Sequence, residues 1–119
     1  DIDSIWLDID HTEDKKYMTF DKKFNQIEKL SHFLKEKNVK LVIIIDPHIK
    51  EDDDYDLYNY SKSSNSLIFS DKRKNIFVGK CWPGDSVYFN FFDSKSRSNW
   101  IEYIMNNKDF FINDDISIW

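Results

Sequence analysis

The 119-residue sequence has one cysteine, no excess of basic residues and no long apolar run, and each absence excludes a class of protein. The single cysteine, Cys81, cannot form a disulfide within the chain. Acidic residues outnumber basic ones and give a formal net charge of −5, whereas nucleic-acid-binding proteins depend on clustered lysine and arginine. No apolar stretch reaches the roughly 18 to 20 residues of a transmembrane helix. We therefore expect neither a nucleic-acid partner nor a membrane span.

The chain does contain apolar and aromatic residues in the amounts typical of a folded domain. Hydrophobic residues make up 40% of the chain, aromatic residues 17% and charged residues 33%, which predicts a packed core rather than disorder. Apolar runs lie close to both ends, at residues 5–9 and in the closing "ISIW". We expect residues 1–119 to be an internal part of a larger domain, truncated at both ends.

Three apolar segments predict β-strands that are covered on both faces. They are "SIWLDID", in which the strand ends near Asp8, residues 41–45 of "LVIIIDPHIK", and the closing "ISIW". A long polar and aromatic stretch separates the last two. Within it, residues 67–69 and 76–78 predict a small hairpin around the turn "SDKRKN".

Apolar residues spaced three and four apart predict two helices. The first runs from Asp21, a candidate N-cap, to about Lys37, and the second lies in "DSKSRSNWIEYIM" with Ser94 as a candidate cap. Strands and helices in this order predict parallel β/α units joined by crossovers, so the chain belongs to the α/β class. It would form part of an open α/β sheet or of a (β/α)8 barrel, and in either fold functional residues gather where the strands end.

Two aspartates lie at predicted strand ends, Asp8 after the first strand and Asp46 after the second. Carboxylates in this position suit three tasks: binding sugar hydroxyls, binding a hard cation, or serving as an acid/base or nucleophile pair. The alternative is structural, since aspartates also cap the loop that follows a strand. Pro47 favours an extended Asp46 and fixes the place where the second strand ends.

The segment "CWPG" predicts a further site residue. Pro83 and Gly84 would form a rigid turn that presents the Trp82 indole, and such rings stack on the apolar face of sugars. The alternative is that Trp82 fills the core of a loop.

No metal site is predicted. His11 and His48 lack the spacing of zinc ligands, and His32 lies within the first predicted helix. The acidic run "EDDDYD" lacks the glycine and the spacing of an EF-hand, so a solvated turn is the better interpretation. Cys81 is best interpreted as a buried structural thiol.

Five segments in register resemble glycoside hydrolase family 31, namely "IWLDIDH", "YMTFD", "KLVIIIDPHIK", "GKCWPG" and the closing "IW". Within the family they are most similar to the α-glucosidases that trim N-glycans in the endoplasmic reticulum. The resemblance implies a (β/α)8 TIM barrel, of which the chain would be about strands 2 to 4 with their helices and a long inserted loop. It implies a retaining α-glucosidase that hydrolyses terminal α-linked glucose of N-glycans in the lumen of the endoplasmic reticulum. It also implies a possible non-catalytic β subunit as partner, and no cofactor.

The resemblance assigns roles to four residues. Asp8 and Asp46 match carboxylates that hydrogen-bond hydroxyls of the terminal glucose, while Trp82 and Trp119 match aromatic residues of the same pocket. The nucleophile is expected just after Trp119 and the acid/base much further along. No catalytic residue is therefore assigned within the chain, and the chain alone is expected to be inactive although its parent is an enzyme.

Two alternatives remain open. The parent would be another family 31 glycosidase, such as a lysosomal-type α-glucosidase or an α-xylosidase, or a carbohydrate-binding relative without activity. One segment also departs from the family pattern: "YFNFFDSK" stands where a Pro-Asp-Phe-Thr-Asn-Pro pattern is usual, and Asn90 replaces an acid. We expect the entry to the second helix to be altered.

Overall fold

The computed structural model describes residues 2–71, 75–111 and 115–119. The chain divides into two compact units: the β/α unit, Asp1–Ile45 with Asn107–Trp119, and the hairpin unit, Asp46–Asn106. The strands are β1 (Ser4–Leu7), β2 (Lys40–Ile43), β3 (His48–Lys50), β4 (Phe69–Ser70), β5 (Asn75–Ile76), β6 (Gly79–Cys81), β7 (Gly84–Tyr88) and β8 (Ile116–Ile118). The helices are α1 (Ile27–Glu36), α2 (Asp56–Ser63) and α3 (Ser94–Asn106).

The β/α unit is built on a parallel sheet with the strand order β1-β2-β8. Leu7 lies opposite Ile43, and Leu41 lies opposite Ile116. The middle strand is the most buried, because it is bonded on both edges and Ile43 is fully inaccessible to solvent. The three strands predicted from apolar runs are confirmed, and so is their parallel arrangement. The prediction that all three are covered on both faces was wrong, because Ile5 and Trp6 of β1 and Ile118 of β8 are exposed. The described strands do not close a barrel.

Helix α1 begins later than the sequence predicted. Asp21 does act as a cap, since its carboxylate accepts a hydrogen bond from the Lys23 backbone N at 2.9 Å, but it caps a separate 3-10 turn, Lys22–Phe24. Gln26 leaves the helical region, with φ −113° and ψ 22°, and the α-helix starts after it.

The end of α1 agrees with the prediction and has a clear physical cause. Asn38 adopts a left-handed φ of 55°, and its backbone N donates to the Lys35 carbonyl at 3.0 Å. The Val39 backbone N donates to the Leu34 carbonyl at 2.9 Å. This pair of bonds is a Schellman motif, which satisfies carbonyls at the helix end and turns the chain towards β2.

The hairpin unit contains an antiparallel sheet with the order β3-β7-β6, and a separate hairpin, β4-β5. The β4-β5 hairpin confirms the prediction for residues 67–69 and 76–78, although Lys72, Arg73 and Lys74 of its turn lie outside the described residues. The sequence did not predict β3, α2 or the β6-β7 hairpin. The buried core of this unit includes Ile49, Leu57, Leu67, Val87 and Phe89.

Helix α3 lies in the segment predicted from the sequence and starts at Ser94, but its cap is different. The Asp93 carboxylate accepts hydrogen bonds from the Ser96 backbone N at 2.8 Å and from Ser96 Oγ at 3.1 Å. The bond from the Ser96 N–H lowers the pKa of Asp93. The prediction of Ser94 as the cap was therefore wrong, because Ser94 is already the first helical residue. None of the helices in the described ranges has the length and apolar character needed to cross a bilayer.

Candidate functional site

Asp8 directly follows β1, where the parallel strands of the β/α unit end. Its backbone is extended, with φ −76° and ψ −179°, and its Oδ1 accepts a hydrogen bond from the Ile9 backbone N at 2.6 Å. Asp8 therefore caps the 3-10 turn Ile9–His11, which is the structural role that the sequence left open. The residue is also exposed. A carboxylate has several acceptor positions, so the cap leaves Asp8 able to accept a hydrogen bond from a ligand.

His11 lies behind Asp8 and was not assigned a role from the sequence. It is 1% exposed, and its Nδ1 lies 2.7 Å from the Asp8 carbonyl oxygen. Its ring centroid lies 5.6 Å from that of Phe20 and 6.4 Å from that of Phe24. Burial lowers the pKa of His11, although the hydrogen bond to the Asp8 backbone and the charge of Asp8 oppose the shift. The helix-like spacing of Asp8 and His11 in "DIDH" was the signal that could have identified this contact.

Asp46 is the first residue of the hairpin unit and is half-buried. Its Oδ2 lies 3.9 Å from Nδ1 of His48, which is too long for a hydrogen bond. Burial lowers the pKa of His48, and the Asp46 carboxylate opposes that shift. His48 begins β3, the strand that pairs with β7.

Trp82 lies in the two-residue turn between β6 and β7. Cys81 pairs with Gly84 across this turn, and Gly84 adopts a φ of 104°, which is a conformation that favours glycine. The Trp82 side chain is 72% exposed. The prediction that this turn presents the indole is confirmed, and the alternative of a loop core is excluded. Cys81 is half-buried rather than buried as the sequence suggested.

Trp119 follows β8, and its backbone is fixed against β2. Its N donates to the Ile43 carbonyl at 2.8 Å, and its carbonyl accepts from the Ile45 N at 3.1 Å. Its ring lies 4.6 Å from that of Trp6 in a tilted arrangement, and both indoles are about half exposed. The sequence did not identify Trp6 as a partner. The observed register explains the contact. Trp6 pairs with Val42, Val42 pairs with Ser117, and Trp119 lies two residues further along the same face.

The four predicted site residues are divided equally between the two units. Asp8 and Trp119 follow β1 and β8, at the carboxyl end of the parallel sheet. Asp46 and Trp82 belong to the hairpin unit, where one precedes β3 and the other lies in the β6-β7 turn. Among the described residues, no cluster of three or more histidine, cysteine or acidic side chains is arranged to hold a metal ion.

Comparison with known families and relatives gives consistent matches along the chain. The family model described as "Glycosyl hydrolases family 31 TIM-barrel domain" matches residues 1–118. Neutral alpha-glucosidase C of Mus musculus is 46% identical over 96 residues, which cover 80% of this chain and 11% of that protein. The chain thus spans about a tenth of the length of this relative.

Solved structures give the same result at the level of the fold. A crystal structure of the glucosidase II alpha subunit, described as bound to alpha3-Glc2, is 36% identical with a TM-score of 0.85, and the match covers 98% of this chain and 13% of that one. A second crystal structure is described as an ER glucosidase II heterodimeric complex of the catalytic subunit and the binding domain of the regulatory subunit. It is 37% identical with a TM-score of 0.80, and the match covers 91% of this chain and 12% of that one.

Proposed function

The chain belongs to glycoside hydrolase family 31, and on that premise we propose that it is a segment of a retaining α-glucosidase of the glucosidase II type. The observation that supports this proposal best is the carboxyl end of the parallel sheet, where an exposed carboxylate and an exposed indole, Asp8 and Trp119, follow β1 and β8, the two strands that flank β2. Polar groups beside an aromatic face suit a pyranose, which has hydroxyls at its rim and C–H groups on its faces.

In this proposal, Asp8 and Asp46 bind the terminal glucose and orient it. Each carboxylate accepts hydrogen bonds from glucose hydroxyls, and such charge-assisted bonds are stronger than neutral ones. Trp82 and Trp119 provide apolar wall on which the ring stacks. Orientation matters for catalysis because a displacement of about 1 Å at the reacting centre can lower the rate about 100-fold.

We assign neither catalytic carboxylate to a residue of this chain. Retaining glycosidases need a nucleophile and an acid/base about 5 to 5.5 Å apart, and the four residues of the proposed site serve binding instead. The 119-residue chain alone should therefore not hydrolyse p-nitrophenyl α-glucoside. Measurable turnover by the purified chain would contradict this assignment.

The proposed substrate is the terminal α-linked glucose of an N-glycan, and the proposed compartment is the lumen of the endoplasmic reticulum. Support comes from the similar solved structures, one described as an ER enzyme and one as bound to alpha3-Glc2. A regulatory β subunit is proposed as partner on the same basis. Co-purification of the complete protein with a β subunit, and loss of glucose trimming from cellular N-glycans when its gene is deleted, would test these points.

The central test is the replacement of the two carboxylates in the complete protein. Asp8→Asn and Asp46→Asn should each lower kcat/KM by at least about 100-fold, because each variant loses a charge-assisted hydrogen bond to the sugar. This factor corresponds to a loss of about 2.7 kcal/mol of transition-state stabilisation. The matched control is Asp3→Asn. Asp3 lies just before β1, at the opposite end of that strand from Asp8, and its backbone carbonyl accepts a hydrogen bond from the Lys40 backbone N.

The outcome of these variants separates the proposal from its alternatives. Unchanged kcat/KM for both Asp8→Asn and Asp46→Asn would contradict the glucose-binding role. A complete protein that binds glucosides but turns none over would be a carbohydrate-binding relative. Preference for α-1,4 glucosides or α-xylosides over α-1,3 glucosides would identify a different family 31 glycosidase.

A further inference from the structure

The imidazole of His11 carries a buried polar atom that bonds to no other residue in the described part of the chain. Its Nε2 is inaccessible and has no hydrogen-bond partner among the described residues, while its Nδ1 lies 2.7 Å from the Asp8 carbonyl oxygen. A carbonyl oxygen only accepts, so Nδ1 must carry the proton and Nε2 must be a bare acceptor. A buried acceptor left unpaired costs about 1–3 kcal/mol. The fold retains this unfavourable group, and it requires an explanation.

Packing alone does not explain the imidazole. The ring lies between Phe20 and Phe24, where a phenyl ring of similar size would fill the space without an unpaired polar atom. What the imidazole adds is a donor directed at Asp8. The Asp8 carbonyl also accepts the His11 backbone N at 3.1 Å, so both of its lone pairs are used by one residue.

The loop around His11 is itself firmly held. The His11 carbonyl accepts from the Asp21 backbone N at 2.8 Å, and Thr12 Oγ1 donates to the Ile9 carbonyl at 2.6 Å. Asp14, Lys15 and Met18 adopt left-handed φ values of 50°, 60° and 63°. Non-glycine residues reach that region at a cost, and they remain there only where surrounding contacts determine the backbone.

From this geometry we propose that His11 is a positioning residue for Asp8. Its Nδ1–H holds the Asp8 carbonyl, and the Asp8 carboxylate therefore keeps the geometry in which it binds a glucose hydroxyl. The inference rests on the proposed function, because it gives Asp8 the role of a ligand to the sugar. His11 does not touch the substrate in this account. Burial lowers the pKa of His11, which favours the neutral ring, in agreement with a single proton on Nδ1.

Two substitutions of His11 in the complete protein separate the donor from the volume of the ring. His11→Asn places an amide N–H close to the position of Nδ1–H and leaves a smaller side chain. His11→Phe keeps the ring volume, removes the unpaired Nε2 and removes the donor. The readouts are kcat/KM, the dissociation constant of a glucose-configured iminosugar measured by calorimetry, and the thermal midpoint of unfolding.

We expect His11→Phe to weaken iminosugar binding and kcat/KM by roughly 10- to 100-fold while the thermal midpoint stays the same or rises. His11→Asn should stay within about 3-fold of the wild type in affinity even if its midpoint falls, because the donor is kept. In an Asp8→Asn background, His11→Phe should change the affinity by less than about 2-fold, since the two residues act as one unit. If His11 merely stabilised the fold, His11→Phe would lower the thermal midpoint and leave the affinity for the iminosugar unchanged.

The inference and the proposed function fail in different ways. Wild-type affinity in His11→Phe, together with impaired Asp8→Asn, would overturn the inference alone. An equal loss from His11→Phe in both backgrounds would also overturn it, because the ring would then act on something other than Asp8. Wild-type affinity in Asp8→Asn would contradict the proposed function itself. If His11→Phe does not accumulate, His11→Gln replaces it as the variant without a donor at the Nδ1 position, with the same expected outcomes.

Discussion

The β/α unit and the hairpin unit differ in whether they contain strand pairs that are local in the chain. In the β/α unit the nearest paired residues, such as Ser4 and Lys40, lie 36 positions apart, whereas in the hairpin unit Cys81 pairs with Gly84, three positions later. The parallel sheet also leaves Trp6, Ile118 and Trp119 exposed at 46–53%. Parallel sheets are normally covered on both faces, so this sheet depends on surroundings that its own unit does not provide. We infer that the hairpin unit is the more self-sufficient of the two.

Two isoleucines of equal burial provide the strongest test of this difference. Ile43 in β2 and Ile49 in β3 are both fully buried, and one lies in each unit. Ile43→Ala and Ile49→Ala should each lower the free energy of unfolding by about 2–5 kcal/mol, through lost transfer energy and the cavity left behind. Hydrogen exchange measured by mass spectrometry on the complete protein should show faster exchange mainly in peptides of the mutated unit.

The wild-type protein serves as the reference for these two variants. Amides of β7 should exchange more slowly than those of β1, because local antiparallel pairing persists when the longer-range parallel pairing opens. If Ile43→Ala accelerates exchange at Val87 as strongly as Ile49→Ala does, the two units open together and the comparison fails.

The same difference explains how much of the fold the sequence could predict. In the β/α unit, uninterrupted apolar runs specify buried parallel strands, and the three-and-four spacing from Ile27 to Leu34 specifies α1. These patterns depend on burial of long elements, which leaves a strong periodic signal. The register and the partnership of Trp6 with Trp119 were not predicted, because they depend on which strands become neighbours.

In the hairpin unit the elements are short and the signal is weak. β3 has three residues, and α2 has eight, with an apolar face reduced to few positions. The β6-β7 hairpin was missed as a hairpin although its turn was recognised, since "CWPG" was interpreted as a presenting turn without the strands on either side. Of the candidate site, the placement of Asp8 after β1 and the exposure of Trp82 were predictable from sequence. The contact of His11 with Asp8 was missed, because the three-residue spacing in "DIDH" indicates it only once a 3-10 turn is assumed there.

Acid should destabilise each unit through one buried histidine. Burial lowers the pKa of His11 in the β/α unit and of His48 in the hairpin unit below the ordinary value of 6.5. Because the unfolded chain then binds a proton at a higher pH than the folded chain, the free energy of unfolding should fall as pH falls below about 6.5. Each histidine can change the free energy of unfolding by at most about 1.4 kcal/mol per pH unit. Well above pH 6.5, where neither the folded nor the unfolded chain protonates these rings, neither group contributes a pH dependence.

Urea denaturation of the complete protein at pH 7.5 and pH 5.5 provides the measurement. His11→Phe and His48→Phe should each reduce the difference in stability between the two pH values relative to wild type. The effect of the carboxylates cancels in this comparison, since wild type and variants share them. An unchanged difference in both variants would show that neither imidazole is kept neutral by the fold.

Helix caps allow a comparison of smaller size. Asp93 caps the α-helix α3 of the hairpin unit, and Asp21 caps a single 3-10 turn of the β/α unit. Asp93→Ala should cost about 1 kcal/mol, within the usual range of 0.5–2 for lost N-caps, and Asp21→Ala should cost less because no α-helix follows directly. Ser94→Ala is the matched control, with an expected effect within about 0.5 kcal/mol. A larger loss from Ser94→Ala than from Asp93→Ala, measured by thermal unfolding, would restore Ser94 as the cap.

The smallest expected effect comes from two asparagines in left-handed conformations, one in each unit. Asn38 ends α1 with a φ of 55°, and Asn65 follows α2 with a φ of 54°. With two glycines in the whole chain, these positions are occupied by the residue that best tolerates the conformation after glycine. Asn38→Gly and Asn65→Gly should therefore raise the free energy of unfolding by a few tenths of a kcal/mol to about 1 kcal/mol, because the favourable backbone offsets the added freedom of the unfolded chain. Lys37→Gly, at a residue with a φ of −94°, should be destabilising by about 0.5–1 kcal/mol, since only the entropic penalty remains there. Thermal midpoints that rise for both asparagine variants and fall for Lys37→Gly would show that the two units meet the same backbone constraint in the same way, despite their different sheets.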